Sequence, residues 1–204
     1  MLSIKADFDA AERLLSDLGR KQLPFATAMA LNDTAAAVKE AEEREVESAF
    51  ERPTPFTKRA FYVRRARKAS LVATVGAKPV QAAYLKMQVS GGVRRPRGRA
   101  LVVPAGARLN KYGNLPKGGL GRIKKRKGAF VASRNSGKAA HLPAGVYVRS
   151  GRGGRGPLKM QISFEPRASY RAAYKFGPVA MSAGSRTFPS AFTEALRRAI
   201  RTAK

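Results

Sequence analysis

The carboxylates and the cations of this 204-residue chain occupy different stretches. Residues 1–51 hold 11 of the 13 Asp and Glu together with 6 Lys and Arg, a net charge of −5. Residues 52–204 hold 35 Lys and Arg against two carboxylates, Glu165 and Glu194, a net of +33. Unpaired charges are not buried, so most of these cations must face solvent or a polyanionic neighbour. The total of +28 exceeds what solubility requires and points to nucleic acid or an acidic protein surface. Apolar residues still make up 44%, enough to build a core through much of the chain.

The same inventory leaves little for catalysis. Cys is absent, which excludes disulfide scaffolds, thiolate zinc sites and thiol chemistry. His141 is the single histidine, and it has no Asp, Glu or Cys near it in sequence. Ser, Thr and Tyr therefore lack an evident base, and no enzyme, metal or cofactor is expected. Gly151-Arg152-Gly153-Gly154-Arg155-Gly156 has the glycines of a phosphate loop. It lacks a following Lys-Ser or Lys-Thr and runs through Pro157 into a strand, whereas a nucleotide loop presents its amides at a helix N-terminus. No run reaches the roughly 18 apolar residues of a membrane span. Lys5 is followed by Asp7, Asp9, Glu12 and Asp17, not by an apolar run, so no secretory leader is expected either.

Periodicity predicts an α+β chain. Phe8, Ala11, Leu15 and Leu18 recur on one helical face, with Asp7 able to cap the start and Gly19 suited to the stop. A long helix follows over 25–50, with Leu31, Ala35, Val38 and Ala49 on one stripe and Val46 and Phe50 beside it. Glu40, Glu42, Glu43 and Glu47 are expected mostly away from that stripe. Pro53 and Pro55 end the helix. Leu71, Ala73 and Val75 alternate as a strand, while 80–89 fits either a strand or a short helix. Leu158, Met160, Ile162 and Phe164 alternate strictly and predict a half-buried strand. Tyr170 to Phe176 suits another strand or a turn. A C-terminal helix is predicted from about Phe188, with Pro189 in its first turn and Phe192, Leu196 and Ile200 four residues apart.

Residues 91–156 differ in composition, holding 15 of the 19 Gly. Such density predicts an extended loop or arm with a few paired strands, ordered by a partner. The expected organisation is one α+β domain over 1–204. It has an acidic helical segment at 1–51, a small, mostly antiparallel sheet carrying a basic insertion at 91–156, and a strand and helix at 157–204. The candidate contact residues are Arg94, Arg95, Arg97 and Arg99, and the run Lys124, Lys125, Arg126 and Lys127. Each suits contact with a phosphate or with an acidic subunit. No recognition helix or zinc module is visible, so backbone contact without sequence readout is favoured over base reading.

Three classes fit a basic, cysteine-free, partly extended chain: a ribosomal-type protein, an architectural DNA binder, and a subunit of an assembled particle. The acidic N-terminal segment favours the third, because a repeated subunit needs unlike, complementary faces. Several segments then carry a likeness. They are Ala28-Met29-Ala30-Leu31-Asn32-Asp33-Thr34-Ala35, the turn Phe50 to Thr57, and the basic stretch Val63 to Lys68. Ala83 to Arg94 and Ala100-Leu101-Val102-Val103-Pro104 complete the set. Together they resemble the minor tail protein Z family of lambda-like tailed bacteriophages, whose members are likewise short and strongly basic. The resemblance implies a virion component at the head-proximal end of the tail or in the neck, acting in tail completion and head–tail joining. It implies portal, connector or tail proteins as neighbours, and with no secretory leader expected the chain is expected to be made in the host cytoplasm. A homo-oligomeric ring around a DNA channel fits the unlike charged faces, with some basic side chains able to meet genome DNA in the lumen.

Overall fold

The computed structural model describes residues 16, 19, 22–133, 137–151 and 156–202. The chain is α+β, with a long N-terminal helix, small antiparallel sheets and a C-terminal helix. The first helix expected, at Phe8 to Leu18, lies outside the described residues except for Ser16. Two compact units form. One comprises Met1–Glu51, Pro55–Leu85 and Tyr174–Lys204; the other comprises Arg52–Thr54 and Lys86–Ala173.

The first unit is built on α1 (Leu23–Ala49), which has Pro24 in its first turn, where the missing amide donor costs nothing. At 1.5 Å per residue α1 is about 40 Å long. Ala35, Val38 and Val46 of the expected stripe are buried, and Leu31 and Ala49 are half-buried. Glu42 departs from the expectation: it is fully buried. Positions 35, 38, 42 and 46 fall on one helical face, so spacing carried the carboxylate inward against its residue type.

The partner of α1 is the C-terminal helix α5 (Phe176–Arg201), which starts 12 residues before the predicted start and carries Pro189 in its interior. Ser182, Gly184 and Ser185 make 177–187 look like a loop. Small residues there let α1 come close instead: a Cβ on Gly184 would touch the Val38 side chain at 3.8 Å. Ala26 and Ala30 cluster with Ala195 and Ala199, so the helices run antiparallel on an alanine seam. Tertiary packing overrides the propensity of Ser, Gly and Pro here. Ala30→Leu is expected to overfill the seam and destabilise the unit by about 1–3 kcal/mol. A fall in the urea midpoint of the full chain measures it, and an unchanged midpoint would refute close packing.

Pro55 does not simply end α1; it opens a short helix, α2 (Pro55–Lys58). The hairpin β1 (Phe61–Arg64) and β2 (Thr74–Ala77) follows, with Phe61 paired to Ala77 and Arg64 to Thr74. Leu71 lies in the connection rather than in the strand predicted for it. Asn32 of α1 fastens this connection by donating from Nδ2 to the Ala66 carbonyl (3.1 Å) and accepting from the Ala66 amide (2.8 Å). The ambiguous 80–89 stretch is helical, within α3 (Pro79–Ser90). Gln81 Nε2 donates to the Phe56 carbonyl and Tyr84 donates to Thr57 Oγ1, tying α3 to α2. Gly91, at φ +65°, then stops α3 in the left-handed conformation that Gly tolerates.

At the end of α1 the core turns aromatic. The rings of Phe50, Phe61 and Phe176 lie 6.1, 6.5 and 6.2 Å from that of Tyr174. The Tyr174 hydroxyl donates to Glu42 Oε2, and Oε1 has no hydrogen-bond partner. Burial pushes the Glu42 carboxyl up to about 7, opposed by the Tyr174 hydrogen bond and aided by Glu45, with the Ala180 amide lowering it. Burial and the Glu42 carboxylate likewise hold the Tyr174 phenol well above its ordinary value.

In the second unit β3 (Gly92–Arg94) pairs with β8 (Ala168–Tyr170). An antiparallel sheet runs in the order β4 (Leu101–Pro104), β7 (Leu158–Glu165), β6 (Gly145–Arg149), β5 (Ala129–Ala132). The predicted strand at 158–164 is β7, with Ile162 fully buried. Much of 91–156, expected as an arm with a few paired strands, is built into this unit. It supplies three of the sheet's four strands and the helix α4 (Gly119–Lys124). Ile123 of α4 joins Val146 and Ile162 in the unit's core. Gly145 is required where it stands, because a Cβ would collide with the Ile162 carbonyl oxygen.

Candidate polyanion and subunit interface

The second unit carries 22 Lys and Arg against a single carboxylate, Glu165, a net of +21 out of the chain's +28. Arg94 ends β3, and Arg95, Arg97 and Arg99 follow in the connection to β4. Lys124 ends α4, and Lys125, Arg126 and Lys127 form the turn that leads into β5. All eight side chains are exposed. Their exposure follows from local sequence, since Pro96 and Gly98 break the first run and Gly128 closes the second.

Two of the eight converge. Arg99 and Lys124 line one open groove of about 1140 Å³ in this unit. Its apolar surface includes Val102 of β4, Phe164 of β7, Val131 of β5 and Leu120 of α4, and the 140–144 loop forms a wall. Val102 and Val131 are 44% and 43% exposed. The other six cations do not line the groove. Sequence reasoning had no means of finding the groove, because its residues come from separate strands, a helix and a loop. The available signal was the alternation that placed Phe164 on a strand face and the isolation of Glu165 among cations.

His141, Ser163 and Glu165 also line this groove. Ser163 Oγ donates to Glu165 Oε1 at 2.5 Å, so the hydroxyl is committed to the carboxylate two residues along its own strand. No hydrogen bond joins His141 to either residue, and a serine nucleophile requires such a base. Among the described residues no group of three or more His, Cys, Asp or Glu is placed to hold a metal ion. None of the described helices is long and apolar enough to cross a membrane. Compared with models of protein families, with curated proteins and with solved structures, the chain matches none of them.

Proposed function

We propose that this chain is a structural virion protein of a tailed bacteriophage. Its place is the neck, or head–tail connector, or the head-proximal end of the tail, where it completes the tail and joins it to the head. It is made in the host cytoplasm and works as a homo-oligomer, in a ring against portal, connector or tail proteins, without catalysing a reaction. The observation that carries the reading is the segregation of charge: +21 on one unit with a single carboxylate, and −5 over residues 1–51. Unlike faces on one chain are what head-to-tail contacts in a closed ring require. The likeness of 28–35, 50–57, 63–68, 83–94 and 100–104 to the minor tail protein Z family supports it. These segments carry internal joints of the chain, among them the Asn32–Ala66 clamp and the Phe50 ring.

In a phage lacking this chain, filled heads and unjoined tails are expected to accumulate, and purified protein is expected to join them in extracts. Complete infectious particles without the chain would sink the reading. A second reading, a sequence-nonspecific nucleic-acid binder of architectural or ribosomal type, is favoured by the eight exposed cations. Normal joining of heads and tails by a chain stripped of these cations separates the two.

A further inference from the structure

The groove of the second unit has an apolar surface beside two cations, Arg99 and Lys124, and one carboxylate, Glu165, which already accepts from Ser163 Oγ, and it is wider than a phosphate contact needs. Val102 and Val131 sit on opposite edges of the sheet in the order β4-β7-β6-β5, so the groove spans three strand spacings, about 14 Å. An α-helix with its side chains is about 10–12 Å across. A small-molecule cleft is smaller, about 300–1,000 Å³, and largely enclosed. A polyphosphate would use Arg99 and Lys124 and make no use of the apolar side chains of Val102, Phe164 and Val131.

The chain itself carries a segment with the complementary chemistry. Phe8, Ala11, Leu15 and Leu18 recur at helical spacing, and Asp7, Asp9, Glu12 and Asp17 outnumber Arg13, a net of −3 over 7–18. A segment of net negative charge with an apolar stripe is complementary to an apolar surface on which cations outnumber carboxylates. We propose that residues 7–18 of a second copy of this chain dock into the groove, the apolar stripe on Val102, Phe164 and Val131 and the carboxylates toward Arg99 and Lys124. Each copy then offers one groove and one segment, a heterologous contact that propagates head to tail and closes into a ring. The inference rests on the assembly reading above and names its contact surface.

Sedimentation of the full chain tests it. The wild type is expected to self-associate, and Arg99→Glu with Lys124→Glu should weaken this at least about tenfold. Phe8→Asp with Leu15→Asp should do the same from the other side of the contact. Mixed together, the two variants retain one intact groove and one intact segment between them. They are expected to form pairs that grow no further, a signature that only a head-to-tail contact gives. The control Lys111→Glu with Lys117→Glu removes equal charge away from the groove and should assemble as the wild type does.

A monomeric wild type, equal weakening by the control, or a mixture that forms no pairs would each overturn the proposal. So would a groove variant that loses oligonucleotide binding while its self-association is intact, since the occupant is then nucleic acid. Assemblies that survive both variants would overturn the groove contact and leave the virion reading standing. Heads and tails that join without the chain would overturn that reading instead.

Discussion

Raising the pH from 4.5 to above 7 is expected to cost the first unit on the order of 3 kcal/mol through one side chain, Glu42. Its carboxyl titrates near 7 in the folded chain, against an ordinary value of 4.5. The folded pKa is the higher of the two, so between these values the folded state keeps a proton that the unfolded state has released. The contribution is therefore whole below about pH 4.5, falls as pH rises through about 7, and is gone above it. Burial is the main cause, because the ionised form must sit among Val38, Val46 and the aromatic rings, where the Tyr174 hydroxyl and the Ala180 amide only partly offset the lost hydration.

Glu42→Gln removes the ionisation while keeping an acceptor for the Tyr174 hydroxyl. The difference in urea midpoint between this variant and the wild type is expected to widen from acid to neutral pH. Parallel curves would show that Glu42 is ionised without cost. Tyr174→Phe removes the hydrogen bond that favours the carboxylate, so the wild-type fall should move to higher pH in that variant.

The second large effect concerns Lys124, Lys125, Arg126 and Lys127. Changing all four to Gln is expected to reduce the slope of log affinity against log salt, for duplex DNA, by about 3.6 if each touches a phosphate. Over a fourfold rise in salt the wild type then loses about 150 times more affinity than the variant. The loss should be the same for unrelated sequences, because phosphate contacts carry no base information. Fluorescence anisotropy at three salt concentrations measures it. An unchanged slope would mean that this run faces an acidic subunit or solvent, and on the proposed virion role retention in particles decides between those two.

Much of the fold was legible because local pattern and burial agree. Residues 25–50 lack Gly and Pro and repeat apolar residues at helical spacing, and α1 follows. Leu158, Met160, Ile162 and Phe164 alternate with polar residues, and β7 follows. The eight candidate cations were legible as exposed for a simpler reason: a charge without a partner stays in water.

What the sequence determined by itself is therefore the class of fold, the long helix, one inner strand of the second unit's sheet and the separation of charge. Each is written in residues adjacent in the chain. The tertiary structure alone decided the rest. Position 42 faces the core because Val38 and Val46 do, and a buried Tyr hydroxyl from 132 residues away makes a carboxyl tolerable there. Pro189 sits inside α5 because the alanine seam against α1 outweighs its missing hydrogen bond. Arg99 and Lys124 share a groove because β4, β7 and α4 meet, although 25 positions separate the two in sequence. These outcomes depend on packing between distant segments, whose free energy no local window contains.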